Sequence, residues 1–223
     1  SHCSPRAVAS FCWAVCKRLI PRVLLGNRRG RGRLRRVIVR FLSLGRFETL
    51  TLDQALMRLK TSDFEGLYRV TDAKRRRAAT QLMRQRYLLA RWVYFLFGGL
   101  IIPLVREHFY VTDSEVHRQT IFYFRKPVWA RLKNHATRAL ETTNYERLSR
   151  ASAFAILRKR SLGFGQVRFV PKRGGLRPIT MLSRPQELAA RKHTRERPHS
   201  APLRFSAVNE AMRPVFDALK AEV

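Results

Sequence analysis

Acidic side chains are scarce in this sequence: 15 aspartates and glutamates stand against 46 lysines and arginines. The five aspartates, Asp53, Asp63, Asp72, Asp113 and Asp217, are scattered, and no two lie close in sequence. Two-metal phosphoryl chemistry needs clustered hard oxygen ligands, so these residues do not compose such a centre. Cysteine is equally sparse, with Cys3, Cys12 and Cys16 all inside the first sixteen residues. Three thiols exclude an even disulfide framework and point to a reducing compartment. Cys12 and Cys16 share a helix face at i, i+4, and His2 with Cys3 would complete four zinc ligands; the competing reading is a pair of buried thiols in an apolar helix. No apolar run reaches the roughly 20 residues that span a bilayer. Trp92 to Val105 gives 14, interrupted by Gly98, Gly99 and Pro103, and reads as a kinked, deeply buried helix rather than a membrane segment. Internal repeats and low-complexity domains are absent, and neither signal peptide nor initiator methionine begins the chain; both ends read as cut from something longer.

What is present is a hydrophobic content of 45%, enough for a packed core in 223 residues, together with a formal charge of +31. Such self-repulsion calls for a polyanionic partner. Aromatic residues at 10% favour nucleic acid over an anionic lipid surface, because rings stack on bases beside cations that hold phosphates.

The N-terminal two-thirds carries helical periodicity. Val8, Phe11, Cys12, Val15, Cys16 and Leu19 recur at three- and four-residue steps and predict an amphipathic helix ending near Pro21. Arg28 to Arg36 then packs six arginines into nine residues, with Gly30 and Gly32 allowing close backbone approach to a ligand. This stretch reads either as an RNA-contacting loop or helix start, with Arg28, Arg29 and Arg31 as candidates, or as a solvated cationic face. Thr51 with Gln54 forms a capping box, and Ser62 with Glu65 repeats the pattern before a second short helix. Asp72 is placed to cap a further helix whose first turn holds Lys74, Arg75, Arg76 and Arg77, cations that oppose the macrodipole unless an anion sits there.

Regularity changes at Phe109. Phe109 to Thr112 and Ile121 to Phe124 are rich in β-branched and aromatic residues, and predict a β-hairpin across the polar stretch Asp113 to Gln119. Alternation puts Tyr123 and Arg125 on one face and Phe122, Phe124 and Lys126 on the other, with Trp129 opening a helix that carries Arg131 and Lys133. Rings among guanidinium and ammonium groups suit unpaired bases and phosphates, although about half of these rings belong in a core. A second hairpin is predicted from Gln166 to Pro171, a turn at Lys172-Arg173-Gly174-Gly175, and Leu176 to Met181. Lys172 and Arg177 flank that turn, as two cations holding a triphosphate would, or as ordinary residues of a basic hairpin.

The Tyr110-Val111-Thr112-Asp113 run, followed by Phe122-Tyr123-Phe124-Arg125-Lys126-Pro127-Val128-Trp129, resembles the T motif of telomerase reverse transcriptases. Upstream, Cys16 to Pro21, Phe41 to Gly45 and Leu52 to Leu56 are similar to the helical part of that family's RNA-binding domain, and Val167 to Lys172 with Gly175 to Ile179 resembles the first two reverse-transcriptase motifs. The resemblance implies a mainly α fold: a helical RNA-binding domain over residues 1–160 with an inserted hairpin at about 109–133, then the start of the fingers over 161–223 with its motifs at about 166–181. It implies part of an RNA-directed DNA polymerase of the nucleus and chromosome ends. Telomerase RNA is the implied partner, with telomeric DNA, deoxynucleoside triphosphate and the remaining reverse-transcriptase domains in the whole enzyme, and no membrane. Tyr110, Phe122, Tyr123, Arg125, Lys126, Trp129, Arg131 and Lys133 would then contact RNA, and Lys172 with Arg177 the incoming nucleotide. No cofactor is implied for these residues; Mg²⁺ belongs to the palm of the whole enzyme, whose aspartate motifs are absent from this sequence, so the fragment would be inactive alone.

Two alternatives remain open at the level of sequence. Another reverse transcriptase, of group II intron or non-LTR type, would share Arg-Phe-x-Pro-Lys and Arg-Pro-Ile patterns. A non-enzymatic basic RNA binder would need only the charge and the aromatics, and would bind many RNAs with a steep salt dependence.

Overall fold

The computed structural model describes residues 1–67, 79–113, 119–143, 145–188 and 202–222, in a mainly helical chain with small antiparallel strand pairs. Two compact units divide between Arg131 and Leu132. Compactness is a separate matter from the motif-based division near residue 160.

The first unit opens with α1 (Pro5–Leu19) and α2 (Arg28–Leu42). Ser4 caps α1 through its hydroxyl, which accepts from the Ala7 N–H, and proline begins the first turn where its missing N–H costs nothing. Asn27 caps α2 in the same way, accepting from the Gly30 N–H at 2.8 Å. The arginine-rich stretch is therefore helix, and Leu34, Val37, Ile38 and Leu42 point its apolar stripe into the core. Helix α3 (Leu52–Leu56) starts at the expected capping box, with both reciprocal Thr51–Gln54 bonds formed. The second capping pattern does not produce an α-helix. Two single 3₁₀ turns, Thr61–Asp63 and Glu65–Leu67, take its place. Asp72 and the Lys74 to Arg77 turn lie outside the described residues.

Helix α4 (Ala79–Phe95) runs through a π-helical turn, Leu96–Ile101, into α5 (Ile102–His108). The expected deep burial of this stretch is corrected. Leu89, Val93, Leu96, Ile101 and Val105 pack one face into the core, while Tyr94 and Phe95 are 73% and 62% exposed. By length and composition Ala79–His108 is apolar enough to cross a membrane, a test that a core helix also passes. Its buried face joins the same hydrophobic cluster as α1 and α2, while only 28% of the apolar window is buried.

Strands β1 (Phe109–Asp113) and β2 (Ile121–Arg125) pair antiparallel as predicted, with Tyr110 opposite Phe124 and Val111 opposite Tyr123. Cys3 adds an isolated bridge to Tyr123, its N–H donating to the Tyr123 carbonyl at 2.7 Å. Helix α6 (Lys126–Thr143) follows without a break, with Pro127 in its first turn. The division between units falls inside this helix.

Cys12 and Cys16 are completely buried, and His2 packs edge-on against Phe122, 4.6 Å between ring centroids. Burial pushes both thiols up to about 11, and the phenol of Tyr123 up to about 12, because the apolar core disfavours the anions. For acids whose folded values are raised, stability is complete below the unfolded values, near 9 for the thiols, and is lost as pH climbs through the folded ones. Denaturation midpoints should therefore fall between pH 9 and 11. The Cys16→Ala chain should show a shallower decline in the same titration.

The second unit contains α7 (Arg150–Arg158), β3 (Gln166–Lys172), β4 (Gly175–Met181), β5 (Gln186–Leu188), β6 (Leu203–Phe205), α8 (Val208–Ala211) and α9 (Arg213–Ala221). The predicted β3–β4 hairpin is present, with Val170 opposite Arg177 and Lys172 opposite Gly175. Gln186–Leu188 pairs antiparallel with Leu203–Phe205. Helices α8 and α9 are both short, and Pro214 lies in the first turn of α9. Among the described residues of this unit, Phe169, Val170, Gln186 and Ala207 are buried, a small core.

Candidate nucleic-acid interface

Residues 20–27 reverse the chain, so the C-terminal end of α1 lies beside the N-terminal half of α2. Between them opens a cleft of about 690 Å³ lined by Lys17, Arg18, Arg22, Arg31 and Arg35, with Trp13, Ala14, Leu25 and Gly32 as its apolar floor. Among the described residues no carboxylate lines it. Five cations around one concavity with a low-dielectric wall focus a positive potential suited to phosphates. Lys17 and Arg18 also sit in the last turn of α1, where the helix dipole tolerates them. Of the candidates in the arginine run, Arg31 lines the cleft, whereas Arg28 and Arg29 are exposed on the first turn of α2 outside it.

The two glycines of that run have different roles. A Cβ on Gly30 would lie 2.9 Å from the Cβ of Asp63, so Gly30 serves packing, whereas Gly32 meets no atom within 4 Å and leaves the cleft floor bare. Asp63 is the hub of this corner. Its carboxylate accepts from Arg33 Nη1 at 2.6 Å and from Asn27 Nδ2 at 3.2 Å, and its carbonyl accepts from the Asn27 N–H at 2.8 Å. Arg33 is thereby turned inward, away from the ligand-facing set.

The hairpin carries less exposed aromatic surface than its sequence suggests. Of Phe109, Tyr110, Phe122, Tyr123, Phe124 and Trp129, four are buried and Tyr110 with Phe122 are half-buried. On one face Trp129 stacks on Tyr110, centroids 4.1 Å apart and planes 10° from parallel, and leans on Phe124 at 5.2 Å. On the other, Tyr123 is 5% exposed and its hydroxyl donates to the Leu42 carbonyl at 2.9 Å. Tyr123 is an anchor joining the hairpin to the end of α2, and its ring does not face solvent. The expected facing of Tyr123 and Arg125 is kept, but Tyr123 looks into the core while Arg125 lies at the rim.

Arg125 borders a cavity of about 340 Å³ with Cys3, Phe11, His108, Phe109 and Pro127. Phe11 sits edge-on to both His108, at 5.2 Å, and Phe109, at 5.7 Å, so three rings and one guanidinium meet there. Lys126 is exposed beside Glu107 at 3.8 Å, a separation of little energetic weight at the surface. Arg131 and Lys133 are exposed on α6. Opposite the hairpin turn, Arg46 pairs with Asp113 and its N–H donates to the Gln119 carbonyl at 2.8 Å, which ties β1 and the turn to the segment after α2.

In the second unit the register places Lys172 and Arg177 on one face of the β3–β4 ribbon. Arg177 lies opposite Val170, two residues from Lys172, so the two cations are diagonal neighbours about 7–8 Å apart at Cα, and both are exposed. That spacing is within the reach of one triphosphate.

The family model for the RNA-binding domain of the telomerase ribonucleoprotein complex matches residues 7–140, which include the cleft and the hairpin. The chain belongs to the telomerase RNA-binding domain family. Telomerase reverse transcriptase of Oryza sativa subsp. japonica is 34% identical over 193 residues, covering 82% of the chain and 15% of the rice protein. That of Bos taurus is 32% identical, covering 80% and 16%. The chain therefore spans about one-sixth of these relatives. Among solved structures it is similar to telomerase of Candida tropicalis in complex with a TWJ fragment of telomeric RNA, with TM-score 0.63 at 26% identity over 81% of the chain and 25% of that protein. It is also similar to a vertebrate telomerase RNA-binding domain, with TM-score 0.52 at 27% identity over 62% of the chain and 54% of that domain. Within this telomerase RNA-binding domain, Trp13, Lys17, Arg18, Arg22 and Arg35 were missed as site residues by sequence reasoning. Arg35 lay within the arginine run, Lys17 and Arg18 within Cys16 to Pro21 as two cations closing an amphipathic helix, and nothing in the sequence marked Trp13 or Arg22.

Proposed function

We propose that this chain binds telomerase RNA for a telomerase reverse transcriptase, with the cleft between α1 and α2 as its principal phosphate-binding surface. The observation that carries this reading is a concavity lined by five cations and, among the described residues, no carboxylate, inside the residues matched by the RNA-binding domain family. Within the same unit, Arg28 and Arg29 on α2 and Arg125, Lys126 and Arg131 at the hairpin add exposed cations, and the half-buried rings of Tyr110 and Phe122 supply edges for unpaired bases. Tyr123 and Trp129 hold the hairpin in shape behind them. On this reading the chain helps place the RNA template, and the enzyme works in the nucleus at chromosome ends.

The residues from about 161 onward supply the beginning of the fingers, where Lys172 and Arg177 would meet the incoming deoxynucleoside triphosphate. Neutralising charge at the triphosphate lowers the repulsion that opposes its approach to a growing strand. Polymerisation belongs to the whole enzyme, with Mg²⁺ held by palm carboxylates that these residues do not include.

The two roles separate in one experiment. Binding to telomerase RNA and to an unrelated structured RNA of equal length is followed across a salt series. Replacing Arg18, Arg22 and Arg35 by Gln should weaken binding and lower the slope of log K against log salt by about 2–3, as expected for three lost phosphate contacts. Replacing Lys172 and Arg177 by Gln should leave both unchanged. Equal loss from the two sets would overturn the division of labour, and identical curves for the two RNAs would leave only a basic RNA binder.

A further inference from the structure

The exposed side of α4 carries an ordered alternation that the RNA-binding cleft does not use. Arg84, Tyr87, Arg91 and Tyr94 are all exposed, and steps of three, four and three residues confine them to a sector of roughly 80° at 3.6 residues per turn. Tyr87 and Tyr94 are 60% and 73% exposed. The Arg91 guanidinium lies over the Tyr87 ring, 5.8 Å from its centroid. Beyond Tyr94 the helix enters its π turn, a departure that recurs at functional sites. Here the turn presents Gly98 and Gly99 on the surface, and a Cβ built on Gly98 would meet no atom within 4 Å. Tyr87, Arg91, Tyr94, Phe95 and the two glycines line an open concavity of about 700 Å³ closed on one side by Leu52.

We infer that this face is a binding track for an unpaired nucleic-acid strand, on which successive bases stack against Tyr87 and Tyr94 while Arg84 and Arg91 hold the phosphates between them. The seven residues from Tyr87 to Tyr94 advance about 10 Å along the helix. Stacked nucleotides repeat at about 3.4 Å, so about three stacking steps separate the two rings and about two bases fit between them. The occupant is a polyanion rather than an apolar helix because cations interrupt the rings at every turn of α4, and the chain as a whole carries +31. The bare backbone at Gly98 lets a base edge approach where a side chain would block it. This inference goes beyond the cleft reading: it concerns single strands, on another surface of the first unit, and its failure would leave that reading intact.

The test uses the 223-residue chain and two fluorescent 12-mers, oligo-rU and oligo-dT, near 0.15 M salt. Tyr87→Ala with Tyr94→Ala should weaken binding of at least one 12-mer by about tenfold per ring, while an unchanged melting curve shows the fold intact. Gly98→Met is the second variant. It fills open space in a helix, so it should not lower the melting temperature, yet it should weaken the same 12-mer at least threefold. Photocrosslinking of iodouracil-substituted strands should map to Tyr87 and Tyr94, and should persist when Arg18, Arg22 and Arg35 are Gln. A loss confined to oligo-rU assigns the track to RNA, and one confined to oligo-dT assigns it to DNA. Unchanged affinity for both strands in the two variants would overturn the inference. So would loss of self-association in sedimentation without loss of oligonucleotide binding, since that would make the face a protein contact.

Discussion

Replacing Tyr123 by alanine should lower the unfolding free energy by about 3–5 kcal/mol, the usual cost of removing a buried aromatic ring. Tyr123→Phe should cost only about 1 kcal/mol. The phenol satisfies the Leu42 carbonyl, one of the last carbonyls of α2, which has no partner within its own helix. Phenylalanine keeps the ring's packing against Phe109, whose centroid lies 6.4 Å away, and leaves that one buried acceptor unpaired. RNA affinity should be unchanged for Tyr123→Phe, because the hydroxyl points into the protein. Chemical denaturation paired with RNA titration decides the matter. A Phe variant of normal stability and weakened RNA binding would return the ring to the interface.

The second large effect is expected at Asp63. Asp63→Ala should destabilise the first unit by about 3 kcal/mol, since breaking a buried pair strands the remaining charge. Arg33 retains 24% side-chain exposure and can reach water, which keeps the figure at the low end of that range. The same change removes the acceptor for Asn27 Nδ2, loosening the cap of α2. Arg31 and Arg35, on that helix, should then hold RNA less tightly even where the unit stays folded. A thermal melt with a salt-dependent binding curve would show both losses. Normal stability with weakened binding would instead mean that Asp63 acts only through the position of Arg33.

Local signals were the most legible. The Thr51 capping box and both hairpins were readable, because each depends on residues within a few positions. The family motifs carried the rest of the fold. What could not be read was anything fixed by distant partners. Asp63 reaches Asn27 and Arg33 across 36 and 30 residues, and Tyr123 reaches Leu42 across 81. No pattern in the chain distinguishes a tyrosine that stacks a base from one that ends a helix elsewhere. The cleft was half visible: its arginine run was plain, but Trp13 and Arg22 join it only because α1 and α2 turn back on each other. The short helix expected after Ser62 gave way to 3₁₀ turns that place Asp63 at the hub, so tertiary demand outweighed a local cap.

The bridge from Cys3 to Tyr123 has a consequence for how the chain reaches its native state. Segments that meet across some 120 residues cannot join until the later one has been synthesised. At about 5–20 residues per second, the N-terminal segment waits roughly 6–24 s on the ribosome for its strand partner. Helices α1 and α2 are neighbours in sequence and can associate long before that, since short loops close at low entropic cost. The cationic cleft thus matures early in synthesis and the hairpin late, so the nascent chain passes through a stage able to attract polyanions before the Cys3 segment is locked. Partners that shield basic surfaces would act during that interval.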